Sequence, residues 1–259
     1  MSNVLSSKTQ PSLLTFAPMI DSETSRFVLR HYCVSYRERP HVFAWGSLLA
    51  LWYGFSPRVP LLYGGGLRLA GPRAIVDHFD VLCDREVVLV PREQPSRTQV
   101  ESDWERFNGE LAAYTAVVAY YYLLPHPDIL TEPFFRGVPK WEKVAFGRSY
   151  PVLRAILSLL LRLSTGRADD ALRRSKLIFD HVDRRVEDGR RYLVGDRVTL
   201  SDIGFAAAAA PLLLPAGYGA PIPTLDSMPQ AMQDIISQMR KRPSARFVAG
   251  IYEKHLAPT

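Results

Sequence analysis

The apolar residues after position 100 recur every three or four places, which is the spacing that puts side chains on one face of a helix. The clearest such run consists of Trp104, Phe107, Leu111, Tyr114, Val118 and Tyr121. Further helical patterns cover residues 168–188, 200–210, 228–240 and 245–255, and an earlier stretch is interrupted at Pro151. The second half of the chain is therefore predicted to be an all-α domain.

The first 82 residues have a different pattern, in which short strand-like segments alternate with helices. Strands are predicted at residues 12–16 and 34–39, and the helix between them has Asp21 or Ser22 as its N-cap. Two more short strands flank three consecutive glycines as a hairpin, and Pro72 suits the first turn of the helix that follows. Residues 41–58 have no clear pattern.

The two patterns meet in residues 83–100, which carry charged pairs and prolines without helical periodicity. We therefore predict an α/β domain over residues 1–82, a linker over 83–100 and an all-α domain over 101–259. A chain of 259 residues is long enough to build a hydrophobic core in each of two such domains.

The chain has a formal charge of +6 and an isoelectric point near 9.4. Basic and acidic residues are interleaved, as in residues 184–188, so we interpret the charge as a solvated surface and predict no nucleic-acid partner. The two cysteines, Cys33 and Cys83, form no CxxC pair and join no cluster of metal-ligating residues. This pattern predicts no metal, no disulfide and a reducing, cytoplasmic location. The polar first ten residues predict no signal peptide.

A capping motif lies in the segment from Tyr192 to Ile203. Thr199 is predicted to begin a helix, and Asp202, three residues on, to reach back to the N–H group of Thr199. Val198 and Ile203 flank this pair as a hydrophobic staple. The segment is therefore predicted to start a helix in the middle of the second domain.

Two shorter motifs belong to the first domain, Arg58-Val59-Pro60-Leu61-Leu62 and Leu69-Ala70-Gly71-Pro72-Arg73-Ala74-Ile75. With the capping motif and the order βαβ, ββα, linker, helices, they make the chain resemble the glutathione transferases. The resemblance implies a thioredoxin-like N-terminal domain followed by a helical bundle of the glutathione-transferase type. It also implies glutathione as a co-substrate, a small hydrophobic molecule as the second substrate, and a homodimer.

The same resemblance implies which residues form the site. The Val59–Pro60 bond is expected to be cis, with the backbone of Val59 pairing with the cysteinyl part of glutathione. Asp21 falls at the family's catalytic position, and Ser22 beside it is expected to steady the thiolate; the alternative is that both residues only cap the helix. Ligand-binding residues are expected at Arg58, Val59, Pro60, Gly71, Pro72 and Arg73, and Trp104, Tyr114 and Tyr121 are expected to line the pocket for the hydrophobic substrate.

The sequence departs from the family where the γ-glutamyl carboxylate is bound. Gly71 and Pro72 replace the family's Glu/Gln–Ser pair, which removes a hydroxyl group and one N–H donor. Arg58 could clamp the carboxylate, and Arg73 is either a second cation or a surface arginine. Two readings of the function stay open. The first is an enzyme that conjugates a thiol to a hydrophobic electrophile. The alternative is a protein of the same fold that is a non-catalytic binding or regulatory protein, or that uses a different acidic ligand.

A strongly apolar helix face is formed by Leu153, Ile156, Leu157, Leu160 and Leu163. Arg154 and Arg162 lie at its margins. This face could touch a membrane surface, but we favour packing within the helical domain.

Overall fold

The computed structural model describes residues 10–42 and 59–255, and its first part is a sheet of four strands with two helices. The strands are β1 (Ser12–Thr15), β2 (Arg37–Pro40), β3 (Leu61–Gly64) and β4 (Leu67–Ala70), in the order β2-β1-β3-β4. β1 runs parallel to β2 and antiparallel to β3, and β3 runs antiparallel to β4. Helices α1 (Ile20–His31) and α2 (Pro72–Leu82) follow β1 and β4 and pack against each other. The predicted thioredoxin-like order is confirmed.

Successive side chains of β1 enter different apolar clusters, because neighbouring residues of a strand point to opposite faces of the sheet. Leu13 joins the main core together with Phe27 of α1 and Ile75 of α2. Leu14 packs instead with its cross-strand partner Leu61 in a small second cluster. The helices therefore cover one face of the sheet at Leu13.

Helix α1 begins earlier than predicted, with Met19 as its N-cap. The carbonyl group of Met19 already accepts a hydrogen bond from the N–H of Glu23 at 3.0 Å, so the helical ladder is under way before either predicted cap. Asp21 and Ser22 consequently lie in the first helical turn, and the prediction that one of them is the N-cap is wrong.

The other end of α1 explains why β2 starts at Arg37 rather than at residue 34. Cys33 adopts a left-handed conformation with φ of 53° and donates its N–H to the carbonyl of Arg30 at 2.9 Å. Val34 donates to the carbonyl of Leu29 at 2.9 Å, which completes a Schellman cap. The backbone of Val34 thus closes the helix and is not available to the sheet.

The described residues after α2 form helices joined by loops, which confirms the all-α prediction for the second part. The helices are α3 (Ser96–Trp104), a π-helical turn (Glu105–Leu111) that continues it, α4 (Ala112–Leu123), α5 (Pro127–Phe135), α6 (Lys140–Leu160), α7 (Thr165–Val186), α8 (Leu200–Leu213), α9 (Gln230–Met239) and α10 (Pro243–His255), with a short 3₁₀ turn at Leu225–Ser227. Because α3 starts at Ser96, regular helix begins within the segment predicted to be linker.

Helix α8 is the centre of the second part and is buried along almost its whole length. It contacts α1, α3, α4, α9 and α10, and the alanine run at residues 206–210 is at most 2% exposed. Small side chains at these positions let the surrounding helices approach closely. The contact between α8 and α1 joins the helical part to the thioredoxin-like part.

The capping motif at the start of α8 is confirmed. The buried carboxylate of Asp202 accepts hydrogen bonds from the N–H of Thr199 at 2.7 Å and from its hydroxyl at 2.8 Å. It also accepts the N–H of Leu193 at 2.7 Å, so the motif ties the preceding loop to the helix. Burial raises the pKa of Asp202 to about 6, although these hydrogen bonds act in the opposite direction.

Helix α6 departs from the sequence interpretation in two ways. It continues through Pro151, so the predicted interruption is wrong. Pro151 has no N–H to donate, so the carbonyl of Gly147 has no partner within the helix. Both residues face solvent. Its apolar residues also pack less than expected, because Ile156 is 47% and Leu160 is 67% exposed while Leu157 is buried. Packing within the helical domain therefore explains only part of this face.

Among the described residues, no single helix is long and apolar enough to cross a bilayer. Only the bent pair of α6 and α7, at 62° to each other, passes on length and composition.

A buried ion network fixes α1 against both β2 and the segment before α9. Arg26 donates to Glu23 at 2.9 Å and to Glu38 at 2.6 Å. The N–H of Gly219 donates to Glu23 at 2.9 Å, and a side chain at position 219 would meet the network, because a Cβ atom there would lie 2.5 Å from Cδ of Arg26. This close approach requires glycine at position 219.

Candidate functional site

The sheet topology brings three segments to one edge. Because β1 runs antiparallel to β3 and β3 antiparallel to β4, the end of β1, the start of β3 and the end of β4 lie side by side. The start of α1, the Val59–Pro60 bond and the start of α2 therefore meet there. The Val59–Pro60 bond is cis, as the resemblance implied, and the N–H of Gly71 donates to the carbonyl of Pro60 at 2.8 Å.

An apolar cavity of about 410 Å³ opens at the start of α1. Its walls come from the loop before α1, the π-helical turn, α4, α5, α6, the end of α8 and the segment that leads to α9. The polar side chains on these walls are Asp21, Asn108, Tyr120 and Tyr218. A site of this size, mostly apolar with a few convergent polar groups, suits a small hydrophobic ligand.

Asp21 is the acidic group on the cavity wall. Burial raises the pKa of its carboxyl group, and a hydrogen bond with the Asn108 side chain offsets part of that effect. Burial likewise raises the pKa of Tyr120 to about 12, so this phenol stays protonated at neutral pH. Burial thus disfavours the charged form of both Asp21 and Tyr120 on the cavity wall.

Ser22 does not share this position. Its side chain is completely buried, it is absent from the cavity lining, and its Oγ atom has no hydrogen-bond partner among the residues that the structure describes. One residue along a helix corresponds to a rotation of about 100°, so a helix that turns Asp21 towards the cavity turns Ser22 elsewhere. The predicted role of Ser22 in steadying a thiolate finds no support in this geometry.

The start of α2 is the position where the resemblance implies carboxylate binding. Gly71 is the N-cap, with φ of 84°, and Pro72 occupies the first helical position. Arg73 forms ion pairs with Asp77 and Glu101, the nitrogen–oxygen distance being 2.7 Å to Asp77. Two carboxylates thus already neutralise the cation that was considered for the ligand. Arg58 lies outside the described residues.

The aromatic residues predicted to line the pocket face other parts of the molecule. The ring of Trp104 lies against Gly204 of α8. The ring of Tyr114 lies 5.8 Å from the guanidinium of Arg174, and the hydroxyl of Tyr121 lies 2.8 Å from that of Thr165. None of Trp104, Tyr114 and Tyr121 is on the cavity wall.

The sequence interpretation missed three of the four polar wall residues. Tyr120 stands in the same aromatic run as Tyr121, and the helical phase of α4 alone would not choose between them. Asn108 falls in the π-helical turn, which shifts the phase of the long helix by an extra residue per turn. Tyr218 comes from a loop more than 190 residues after Asp21, and no local signal relates the two.

No protein-family model and no curated protein matches the sequence. Solved structures do match over nearly the whole chain. The beta-etherase LigF from Sphingobium sp. strain SYK-6 has a TM-score of 0.58 and 14% identity, covering 93% of this chain and 98% of that one.

The chain has the glutathione S-transferase fold.

Two further structures with this fold are glutathione S-transferases. One, glutathione S-transferase-I bound with lactoylglutathione, has a TM-score of 0.53 and 18% identity over 94% of this chain and 100% of that one. The other, from Xanthobacter autotrophicus Py2, has a TM-score of 0.52 and 17% identity over 77% and 81%. The described residues contain no group of three or more His, Cys, Asp or Glu side chains that could hold a metal ion.

Proposed function

We propose that the protein is a glutathione-transferase-like enzyme that conjugates a thiol, glutathione or a related one, to a hydrophobic electrophile bound in the cavity beside α1. The observation that carries this proposal is the cavity itself, which has mostly apolar walls and meets the start of α1 at Asp21. We further propose that the chain is a cytoplasmic homodimer divided at the predicted linker.

The first turn of α1 supplies the chemistry in this proposal. The first amides of any helix have no carbonyl partner within the helix and carry part of its positive dipole, so they stabilise a thiolate held in front of them. An ionised carboxylate at Asp21 would oppose that thiolate. Burial works against this repulsion, because the raised pKa shifts Asp21 towards its neutral form, which can donate a hydrogen bond.

The thiol-binding edge supports glutathione less well than the fold alone would suggest. Pro72 has no N–H to donate, and Arg73 is held by two carboxylates. A lost charge-assisted hydrogen bond costs about 1.5–3 kcal/mol, or roughly ten- to a hundredfold in affinity. We therefore expect weak binding of glutathione by the parent protein.

A gain-of-binding variant tests this edge directly. Pro72→Ser restores both the hydroxyl group and the N–H that the family's serine offers, so it should tighten glutathione binding by about tenfold or more in a calorimetric titration. Pro243→Ser changes the first residue of α10 in the same way and serves as the matched control. Equal affinity in both variants would show that glutathione does not bind at the start of α2.

A cavity-filling variant tests the second substrate site. Ala116→Phe places a large ring in the cavity, whereas Ala249→Phe adds the same ring at an exposed position of α10. Conjugation of an aryl halide and binding of an apolar fluorescent probe should both fall in Ala116→Phe and persist in Ala249→Phe. If Ala116→Phe keeps full activity, the electrophile does not use this cavity.

The burial of Ser22 favours a second candidate, a non-catalytic protein that binds an apolar ligand in the same cavity. Apolar-probe binding would then be lost in Ala116→Phe, but no electrophile in a broad panel would react with the parent. If the parent is active, the variants Ser22→Ala and Asp21→Asn show which of the two residues at the start of α1 contributes to catalysis. We expect Asp21→Asn to change the turnover and Ser22→Ala to leave it near the parent value, since Ser22 does not reach the cavity.

A further inference from the structure

Helix α6 carries an exposed apolar stripe. Val152 is 62% exposed, Ile156 47%, Leu159 78% and Leu160 67%, which is unusual for side chains of this size on one helix. At about 100° per residue, Val152, Ile156 and Leu159 fall within about 60° of one another around the helix axis. These four residues are called the α6 stripe below. Within residues 10–42 and 59–255, no side chain buries these four residues.

The segment that contains the α6 stripe is strongly basic. Residues 136–168 contain seven Lys and Arg residues: Arg136, Lys140, Lys143, Arg148, Arg154, Arg162 and Arg167. The one acidic residue in the same range is Glu142, which is completely buried and accepts hydrogen bonds from His41 at 2.6 Å and from the N–H of Val42 at 3.0 Å. Asp128 of α5 lies near Tyr150, on the packed side of α6.

We propose that the protein binds reversibly to the surface of an anionic lipid bilayer through the α6 stripe, with Arg148 beside it and the other basic residues of the same segment adding attraction. An apolar stripe with basic neighbours on an amphipathic helix is the combination that inserts at the boundary between headgroups and acyl chains. The positive charge of this segment favours an anionic lipid surface over a second copy of the chain as the partner. A two-fold contact would bring the same surface from both subunits together and oppose cations with cations.

The cavity gives this surface a further consequence. Leu157, Leu160 and Leu161 line the cavity, and Leu160 also belongs to the α6 stripe. Docking would therefore hold the cavity at the bilayer, where apolar molecules are concentrated. The binding itself does not depend on the proposed enzymatic function, so either can fail without the other.

Vesicle sedimentation of the full chain tests the proposal. The parent should bind vesicles that contain about one-third phosphatidylglycerol, should bind phosphatidylcholine vesicles weakly, and should be released at about 0.5 M salt. Replacing the cation one turn before Val152, in Arg148→Gln, should weaken partitioning about fivefold. Replacing two apolar residues, in Val152→Asp/Leu159→Asp, should weaken it at least about tenfold.

Val81→Asp is the matched control, because Val81 is 79% exposed on α2, in the thioredoxin-like part. It should bind vesicles like the parent, and circular dichroism with thermal melting should show that all variants are folded. The proposal is overturned if the parent does not bind anionic vesicles at low salt, or if the α6 variants bind these vesicles as well as Val81→Asp does. If the parent binds no vesicle and Val152→Asp/Leu159→Asp instead converts a dimer into monomers, the α6 stripe is a subunit interface and the proposal is overturned.

Discussion

Replacing Gly219 by alanine should disrupt the buried ion network of Arg26, Glu23 and Glu38 that holds α1 in place. The added Cβ atom would lie 2.5 Å from Cδ of Arg26 and 2.9 Å from Oε2 of Glu23, both far inside van der Waals contact. Arg26 is 4% exposed and Glu23 is completely buried, so neither side chain can swing into solvent. The backbone at position 219 must move instead, and the hydrogen bonds from its N–H to Glu23, at 2.9 and 3.1 Å, are strained or lost.

The size of the effect follows from which interactions break. Overpacking a close site costs about 1–3 kcal/mol, and leaving a buried carboxylate without one of its hydrogen-bond donors costs about 1–3 kcal/mol. Because Arg26 can keep its bonds to Glu38 while Glu23 loses a donor, we expect the free energy of unfolding to fall by about 3 kcal/mol in Gly219→Ala. Tyr218, the preceding residue, lines the cavity, so apolar-probe binding should weaken in the same variant.

Urea unfolding followed by tryptophan fluorescence measures this change, and Gly250→Ala is the matched control. Gly250 lies inside α10 with nothing within 4 Å of an added Cβ atom, so alanine there should leave stability unchanged or raise it by about 0.5–1 kcal/mol. If the midpoints of Gly219→Ala and Gly250→Ala agree, the network does not constrain position 219 and the reasoning fails.

The capping motif of α8 yields two further predictions. Thr199→Ala should lower the free energy of unfolding by about 0.5–2 kcal/mol without changing ligand binding, and thermal melts equal to the parent's would contradict the cap. The second concerns pH. The pKa of Asp202 is about 6 in the folded chain, above the value of about 4 expected when unfolded, so its contribution to stability is present below about pH 4 and is lost as the pH rises through 6. Relative to Asp202→Asn, the parent should lose about 2–3 kcal/mol over that interval; parallel pH profiles of the two proteins would refute the shift.

Local sequence signals were sufficient for most of the fold. The hairpin glycines, Pro72 at a helix start and the Thr199–Asp202 cap are each determined by interactions within a few residues, and the structure has them where the pattern predicts. The strands occur in the predicted order, although β2 begins three residues later than predicted. Local sequence signals failed at positions where the chain adopts a less common local conformation. Cys33 takes a left-handed cap that is more typical of glycine, and Pro151 stays inside a helix because its unpaired carbonyl partner faces water.

The site depended on the tertiary structure far more than the fold did. The sequence by itself placed Asp21 and Ser22 at the start of a helix and Val59–Pro60 at the start of a strand. Only the docking of α1 against α8 decided that Asp21, and not Ser22, turns towards the cavity, because adjacent residues differ by about 100° around the helix. A cavity exists between elements rather than within one. The other polar residues of its wall therefore come from different segments, and their spacing along the chain does not indicate that they lie close together.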